Sequence, residues 1–159
     1  MSLSVFLFSD IEGSTRLWAA HGADMHEALQ RHDTLLGAAV THAGGTVFKH
    51  TGDGVVARFE SAVAAIEAAV AAQVALAGQD WGAIGQLRAR IGLHAGEAQS
   101  RDGDWFGPVL NRAARLMAVG HGGQILASGA VHALARDGLA GEMGFRELGM
   151  HRPSSQTGR

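Results

Sequence analysis

The order of secondary-structure elements constrains the fold of this chain more than any other feature of its sequence. Apolar residues are consecutive in buried strands, alternate in half-buried strands and recur every three to four positions in helices. Six elements follow from these patterns: a buried strand (5–11), a helical stretch (14–40) ended by two glycines, two β-prone runs (46–50 and 55–59), an alanine-rich helix capped by Ser61 and extending to residue 77, and a half-buried strand (87–94). This β-α-β-β-α-β order predicts an α+β fold with a ferredoxin-like core.

A C-terminal extension follows this core. We expect a polar loop (99–107), a helix (108–119) with proline in its first turn, a strand (124–127), a helix from about Ser128 and a strand (145–148). We assign residues 1–151 to one domain. Residues 152–159 are polar without an apolar anchor, and we expect them to form a loose tail.

Composition narrows the class of protein. The 159 residues are 47% apolar and 18% charged, which suits one domain with a substantial core and excludes a disordered chain. A net charge of −2 argues against a nucleic-acid partner. The absence of cysteine fits a reducing compartment, so we expect a cytoplasmic protein. The start lacks a signal-peptide pattern, and the longest apolar tract carries Glu67 and Gln73, so we expect no membrane span.

Two aspartates are candidate metal ligands. Asp10 ends the first strand, and Asp53 lies at the tip of the predicted hairpin. In a ferredoxin-like sheet these two places are close in space, and paired carboxylates suit Mg²⁺ or Mn²⁺ holding phosphates. The alternative is that Asp10 caps a helix and Asp53 is an ordinary turn residue.

Two further patterns could contact a phosphorylated ligand. Residues 12–15 (EGST) begin a helix, where free backbone N–H groups favour phosphate oxygens, although the spacing of a Walker loop is missing. Asn111 and Arg115 lie four apart on one predicted helix face and could point at one ligand. The alternative is a solvated face that includes Arg112.

Lys49 is the only lysine among 13 basic side chains. A site that keeps lysine where arginine is otherwise used calls for a compact point donor, unless the position is chance.

Two metal sites are rejected. Residues 101–107 begin like a calcium loop but have Phe106 and Ala113 at ligand positions, and the nine histidines show no zinc spacing.

Four segments, in order, resemble the catalytic domains of class III nucleotidyl cyclases of the bacterial type. They are residues 6–15 (FLFSDIEGST), 49–54 (KHTGDG), 90–96 (RIGLHAG) and 104–115 (DWFGPVLNRAAR). The resemblance extends from about residue 4 to about residue 150. One departure is the C-terminal stretch, where many relatives have a triphosphate-binding lysine and this chain has Arg152 without a lysine.

The resemblance implies a role for each matching residue. Asp10 and Asp53 would ligate two divalent ions, Mg²⁺ or Mn²⁺, with the Ile11 carbonyl assisting. The backbone amides of Gly13, Ser14 and Thr15 would hold the β- and γ-phosphates, and Arg90 would add positive charge there. Lys49 and Asp104 would recognise the base, Asn111 would orient the ribose and Arg115 would stabilise the transition state. In this family the active site forms between two catalytic domains, so the implied partner is a second copy in a homodimer.

The base-reading pair favours ATP on chemical grounds. Adenine offers an acceptor at N1 and a donor at N6, which complement the donor Lys49 and the acceptor Asp104. Guanine reverses this pattern, and a mismatched buried pair leaves polar groups unpaired. We therefore predict an adenylate cyclase. The alternatives are a guanylate or dual-specificity cyclase, and an inactive nucleotide-binding regulatory domain; a diguanylate cyclase would need a Gly-Gly-Asp-Glu-Phe hairpin, which is absent.

Overall fold

The computed structural model of the protein describes residues 2–138. The elements in chain order are β1 (Ser2–Ile11), α1 (Ser14–His42), β2 (Thr46–His50), β3 (Val55–Phe59), α2 (Ala62–Ala77), a 3₁₀ turn (Gly82–Ile84), β4 (Ala89–Arg101), β5 (Asp104–Phe106), α3 (Pro108–Ala118), β6 (Ile125–Ala127) and α4 (Gly129–Ala135). The first seven contain the predicted β-α-β-β-α-β order. The predicted strand 145–148, Arg152 and the predicted tail 152–159 lie outside the described residues.

The sheet confirms the predicted ferredoxin-like core. Its strands lie in the order β2-β3-β1-β4, and each neighbouring pair is antiparallel. β1 and β4 pair over ten residues, from Ser2 opposite Ala98 to Ile11 opposite Ala89. β6 adds a parallel strand beside β4, and β5 folds back on the far end of β4. The central position of β1 places its last residues between the β2–β3 hairpin and β4.

Side chains alternate between the two faces of the sheet, as the pleat requires. Val5 and Leu7 join the main core, which is covered by α1, α2 and α4. The opposite face, hereafter the α3 face, carries a smaller buried cluster under the single helix α3. Its buried members are Phe6, Val56, Ala98, Val109, Leu110 and Ala113.

Local sequence accounts for the helix ends. The Ser61 side chain accepts a hydrogen bond from the backbone N–H of Ala64 at 3.1 Å, which is the predicted cap of α2. The helical stretch predicted over residues 14–40 forms one helix, α1, which extends to His42 and whose backbone departs from helical geometry at Gly22. The two glycines after α1 follow its last helical residue, His42, as predicted.

The predicted polar loop over residues 99–107 is wrong. β4 continues to Arg101, and residues 104–106 return as β5, so the segment is a two-residue hairpin. Its turn residues Asp102 and Gly103 both have positive φ, 55° and 81°. Asp-Gly is a favoured sequence for such a tight hairpin turn, and this signal was present in the sequence.

No helix among the described residues is long and apolar enough to cross a membrane.

Candidate active site

A close backbone contact fixes the β2–β3 hairpin against the end of β1. A Cβ added at Gly54 would lie 1.7 Å from the carbonyl oxygen of Ser9. The neighbouring Val55 N–H donates to the Ser9 hydroxyl at 3.2 Å. Because Asp53 precedes Gly54 and Asp10 follows Ser9, both aspartates belong to this junction. Carbonyls two residues apart in a strand face the same way, so the Ile11 carbonyl is also directed to the hairpin side.

Asp10 pairs with Arg90, eighty residues away on β4. The Arg90 Nε donates to Asp10 Oδ1 at 2.7 Å, and Nη2 contacts Oδ2, which makes the pair bidentate. The remaining Nη1 donates at 3.1 Å to the carbonyl of Ala118, at the end of α3. The Asp10 and Arg90 side chains are only 18% and 26% exposed. Asp10 is therefore an ion-pair residue, and Gly13, not Asp10, caps α1.

Acidic groups surround the Arg90 guanidinium. Its hydrogen bond to Asp10 raises the pKa of Arg90, and the charges of Asp10, Asp53 and Glu12 act in the same direction. Glu12 is itself held by the backbone N–H of Gly122 at 3.1 Å. Within residues 2–138 no three histidine or acidic side chains are grouped closely enough to form a metal site by themselves. The two aspartates and the guanidinium thus define a charged cluster, which we call the acidic end.

The start of α1 lies beside the acidic end. Gly13 caps the helix with φ of 69°, a left-handed conformation that favours glycine. No side chain caps the first turn, and that turn contains no acidic residue. Its backbone N–H groups, beginning with Ser14 and Thr15, carry the positive end of the helix dipole. The Arg16 guanidinium lies over Gly13, where an added Cβ would be 2.8 Å from Nη2. This cation was not among the predicted site residues, although its place in the first turn of α1 is a signal for it.

Lys49 and Asp104 form a second ion pair on the α3 face. Lys49 Nζ lies 3.2 Å from Asp104 Oδ2, and both side chains are partly exposed, at 48% and 32%. Asp104 Oδ1 accepts the backbone N–H of Trp105 at 2.8 Å. That backbone bond, followed by the bond and charge of Lys49, lowers the pKa of Asp104. The carboxylate is therefore ionised and acts as an acceptor at neutral pH.

A groove of about 590 Å³ opens beside this pair. Its lining combines aromatic walls with a few polar groups, a composition suited to a flat ring with polar edges. The lining residues include Phe8, Phe48, Lys49, Val56, Trp105, Phe106 and Asn111. Lys49 and Asn111 were predicted from the sequence, whereas the aromatic walls were not, because those aromatic residues come from three separate strands.

Helix α3 carries the remaining predicted residues. It lies unusually close to β4, since a Cβ at Gly92 would be 2.5 Å from the Met117 nitrogen. Asn111 and Arg115 are exposed on this helix, and Asn111 lines the groove. Neither side chain makes a hydrogen bond or ion pair in the part of the chain that the structure describes. Both are free to meet a ligand or another chain.

The predicted residues thus occur in two groups: Asp10, Ile11, Asp53, Arg90 and the start of α1 at the acidic end, and Lys49, Asp104 and Asn111 at the groove, with Arg115 exposed one turn beyond. Among residues 2–138 no ion pair joins the two groups. The acidic end and the aromatic groove lie apart on one ferredoxin-like sheet, an arrangement suited to a ligand that has a charged part and a flat ring.

Comparison with known proteins assigns the family. The family model for the adenylate and guanylate cyclase catalytic domain matches residues 3–150. The chain belongs to this family, and the resemblance read from its four motifs is confirmed. It is a cyclase catalytic domain whose nucleotide preference the family alone leaves open.

Individual relatives agree with this assignment. An uncharacterised protein of Mycobacterium tuberculosis is 38% identical over 147 residues, covering 91% of this chain and 49% of the relative. The adenylate cyclase of Podospora anserina is 30% identical, covering 79% of this chain and 7% of that protein. The crystal structure of an adenylate/guanylate cyclase/hydrolase from Silicibacter pomeroyi superimposes with a TM-score of 0.85 at 32% identity, covering 98% of this chain and 91% of that one. The chain spans about half the length of the mycobacterial relative.

Proposed function

We propose that this domain is an adenylate cyclase, which converts ATP to 3′,5′-cyclic AMP and pyrophosphate. The observation that carries the proposal is the Lys49–Asp104 pair beside the aromatic groove. Lysine donates and an ionised aspartate only accepts, which matches N1 and N6 of adenine. The 3′-hydroxyl of the ribose attacks the α-phosphorus, the bond from that phosphorus to the bridging oxygen breaks, and pyrophosphate leaves.

The groove supports binding of a purine. Phe48 and Trp105 provide apolar walls, while Lys49 stands at the polar edge. Asn111 lines the same groove and can orient the ribose. A guanine ring would set its O6 acceptor and N1 donor against groups of the wrong polarity, which costs binding because polar groups stay unpaired.

The acidic end supports binding of two divalent cations, Mg²⁺ or Mn²⁺. Asp10, Asp53 and the Ile11 carbonyl supply the hard oxygen donors that these ions take. The fit is supported by Arg90, a cation that is already paired with Asp10 and whose pKa the charge of Asp53 also raises. Such ions, when bound, lower the pKa of the attacking hydroxyl and neutralise the triphosphate.

The chain's own groups then receive the phosphates. The free amides of Gly13, Ser14 and Thr15 are suited to the β- and γ-phosphates, and Arg90 can exchange the Asp10 carboxylate for a phosphate oxygen. Arg115 supplies a guanidinium for the charge that develops at the α-phosphorus. No side chain serves as an evident general base, so the hydroxyl proton passes to solvent or substrate.

We further propose that the active enzyme is a homodimer. Within one chain Asp10 and Arg90 are engaged with each other, whereas Asn111 and Arg115 are exposed without partners among residues 2–138. A site shared between two copies would bring the acidic end of one chain to the groove and α3 of the other. This arrangement is the one that the family resemblance implies.

The decisive assay is incubation of the protein with ATP or GTP and Mn²⁺ or Mg²⁺, followed by chromatography for the cyclic product. We expect cyclic AMP to form faster than cyclic GMP. Lys49→Glu combined with Asp104→Cys should shift the preference towards GTP. Faster formation of cyclic GMP by the unaltered protein would favour the guanylate cyclase alternative, and nucleotide binding without turnover would favour an inactive regulatory domain.

Complementation tests the shared site. Asp10→Ala and Arg115→Ala should each be inactive alone, because every homodimeric site lacks one essential group. Mixing the two proteins should restore part of the activity, since one of the two sites in a mixed dimer is complete. Absence of rescue, in a mixture shown to contain mixed dimers, would contradict the shared site.

A further inference from the structure

We infer that Arg58 is a positioning residue for base selection, which holds the Trp105 indole and, through it, the Asp104 carboxylate. This inference rests on the proposed function, because it concerns the groove in which the purine is proposed to bind. Arg58 belongs to none of the four motifs that carry the family resemblance. Its role follows from its contacts.

The Arg58 side chain is more restrained than most arginine side chains at a protein surface. It lies on β3 directly opposite Phe6 of β1, and its side chain is only 19% exposed. Its Nε donates at 2.8 Å to the hydroxyl of Ser4, a residue with no exposed surface. The contact with Glu60 is longer, at 3.5 Å, and Glu60 is 85% exposed, so solvent screens that pair. The buried hydroxyl therefore fixes the guanidinium.

The fixed guanidinium packs on Trp105. Its central carbon lies 4.4 Å from the centroid of the indole ring, within the range of a cation–π contact. The indole also meets Phe6 in an edge-to-face arrangement, with centroids 6.0 Å apart. Phe6 in turn meets Phe48 at the same separation. Trp105 and Phe48, two walls of the groove, are thus set by Arg58 and Phe6.

Trp105 connects this packing to the base-reading pair. Its backbone N–H holds one oxygen of Asp104, and Lys49 reaches the other. β5, which carries Asp104 and Trp105, has only three residues, and among the described strands it pairs with β4 alone. When the indole loses its support, the acceptor at Asp104 loses its alignment with the base. The ratio of kcat/KM for ATP to kcat/KM for GTP should then fall more than kcat itself.

The experiment compares two variants that remove the planar stack. Arg58→Lys keeps the charge, Arg58→Gln removes it, and the matched control Glu60→Gln removes only the exposed partner. For each, kcat/KM is measured with ATP and GTP, and dissociation constants for both nucleotides are measured in parallel. We expect the ATP-to-GTP preference to fall about tenfold in both Arg58 variants, and to stay within about twofold in the control.

A second background separates positioning from general damage. In Asp104→Ala protein the acceptor is already gone, so adding Arg58→Gln should leave the ATP-to-GTP preference unchanged. An equal loss for both nucleotides in folded Arg58 variants, or an unaltered preference, would overturn the role of Arg58. If Arg58→Gln fails to fold, Arg58→Lys and Trp105→Phe carry the test. Selective binding without turnover in the unaltered protein would reject the proposed cyclase activity while the binding ratios still test Arg58.

Discussion

Replacing Gly54 by alanine tests the junction on which the acidic end depends. Gly54 does not have a positive φ, so alanine can adopt its backbone conformation without strain. The cost is steric: the added Cβ would lie 1.7 Å from the Ser9 carbonyl oxygen, whereas ordinary contact begins at 3.4 Å. The obstacle is backbone, so the two strands must separate by about 1.7 Å, the difference between those distances.

The separation has two energetic consequences. Overpacking against backbone costs about 1–3 kcal/mol. Moving the hairpin also breaks the hydrogen bond from Val55 N–H to the Ser9 hydroxyl, which contributes about 1 kcal/mol. We therefore expect Gly54→Ala to lower the free energy of unfolding by about 2–4 kcal/mol, and the melting temperature by roughly 4–16 °C.

The rate of cyclic nucleotide formation should fall by more than the loss of folded protein explains. Asp53 is attached to the displaced residue, and a misplacement of about 1 Å at a reacting centre can reduce the rate about a hundredfold. The assay combines urea denaturation with initial rates of cyclic nucleotide formation at a temperature where the variant is fully folded. The rate should stay low at that temperature.

A second glycine provides the control. Gly37 lies in α1, and a Cβ there meets nothing within 4 Å. Gly37→Ala should therefore stabilise the protein by about 0.5–1 kcal/mol through helix propensity. If the free energy of unfolding of Gly54→Ala lies within about 0.5 kcal/mol of that of the unaltered protein, the close approach of β1 and the hairpin is wrong.

Three further predictions concern single side chains. Ser61→Ala should cost about 1 kcal/mol of stability through loss of the α2 cap, measured by urea denaturation; an unchanged midpoint would contradict that cap. Burial lowers the pKa of His32, and the hydrogen bond that His32 donates to Asp33 opposes this shift only in part. The unfolded chain therefore binds the proton more readily, and stability should fall as the pH drops below about 6.5. His32→Phe should flatten that decline in unfolding experiments from pH 5 to pH 8, and an equally steep curve would remove His32 as its cause. Arg115→Ala should lower kcat more than it raises KM, and the reverse would make it a ground-state binder.

Much of the fold was predictable because its signals are local. The bounds of β2 and β3, and the end of α2 at Ala77, were predicted to the residue. These elements have clear periodicity and glycine or serine boundaries. The hairpin of β4 and β5 was not predicted, because polar side chains around its turn are typical of a loop and only the Asp-Gly pair indicates the tight turn.

The candidate site also has features that follow from local sequence and features that follow only from the tertiary structure. The sequence by itself determined the order of the elements, and with it that Asp10 and Asp53 lie at the same end of the sheet. Only the tertiary structure decided that Asp10 pairs with Arg90, that Trp105 rests on Arg58, and that aromatic side chains from three strands line one groove. The physical reason is that hydrophobic periodicity acts over a few neighbouring residues, whereas these contacts join residues tens of positions apart. Such contacts depend on the register of the strands and the close packing of backbone at glycine, which no local pattern encodes.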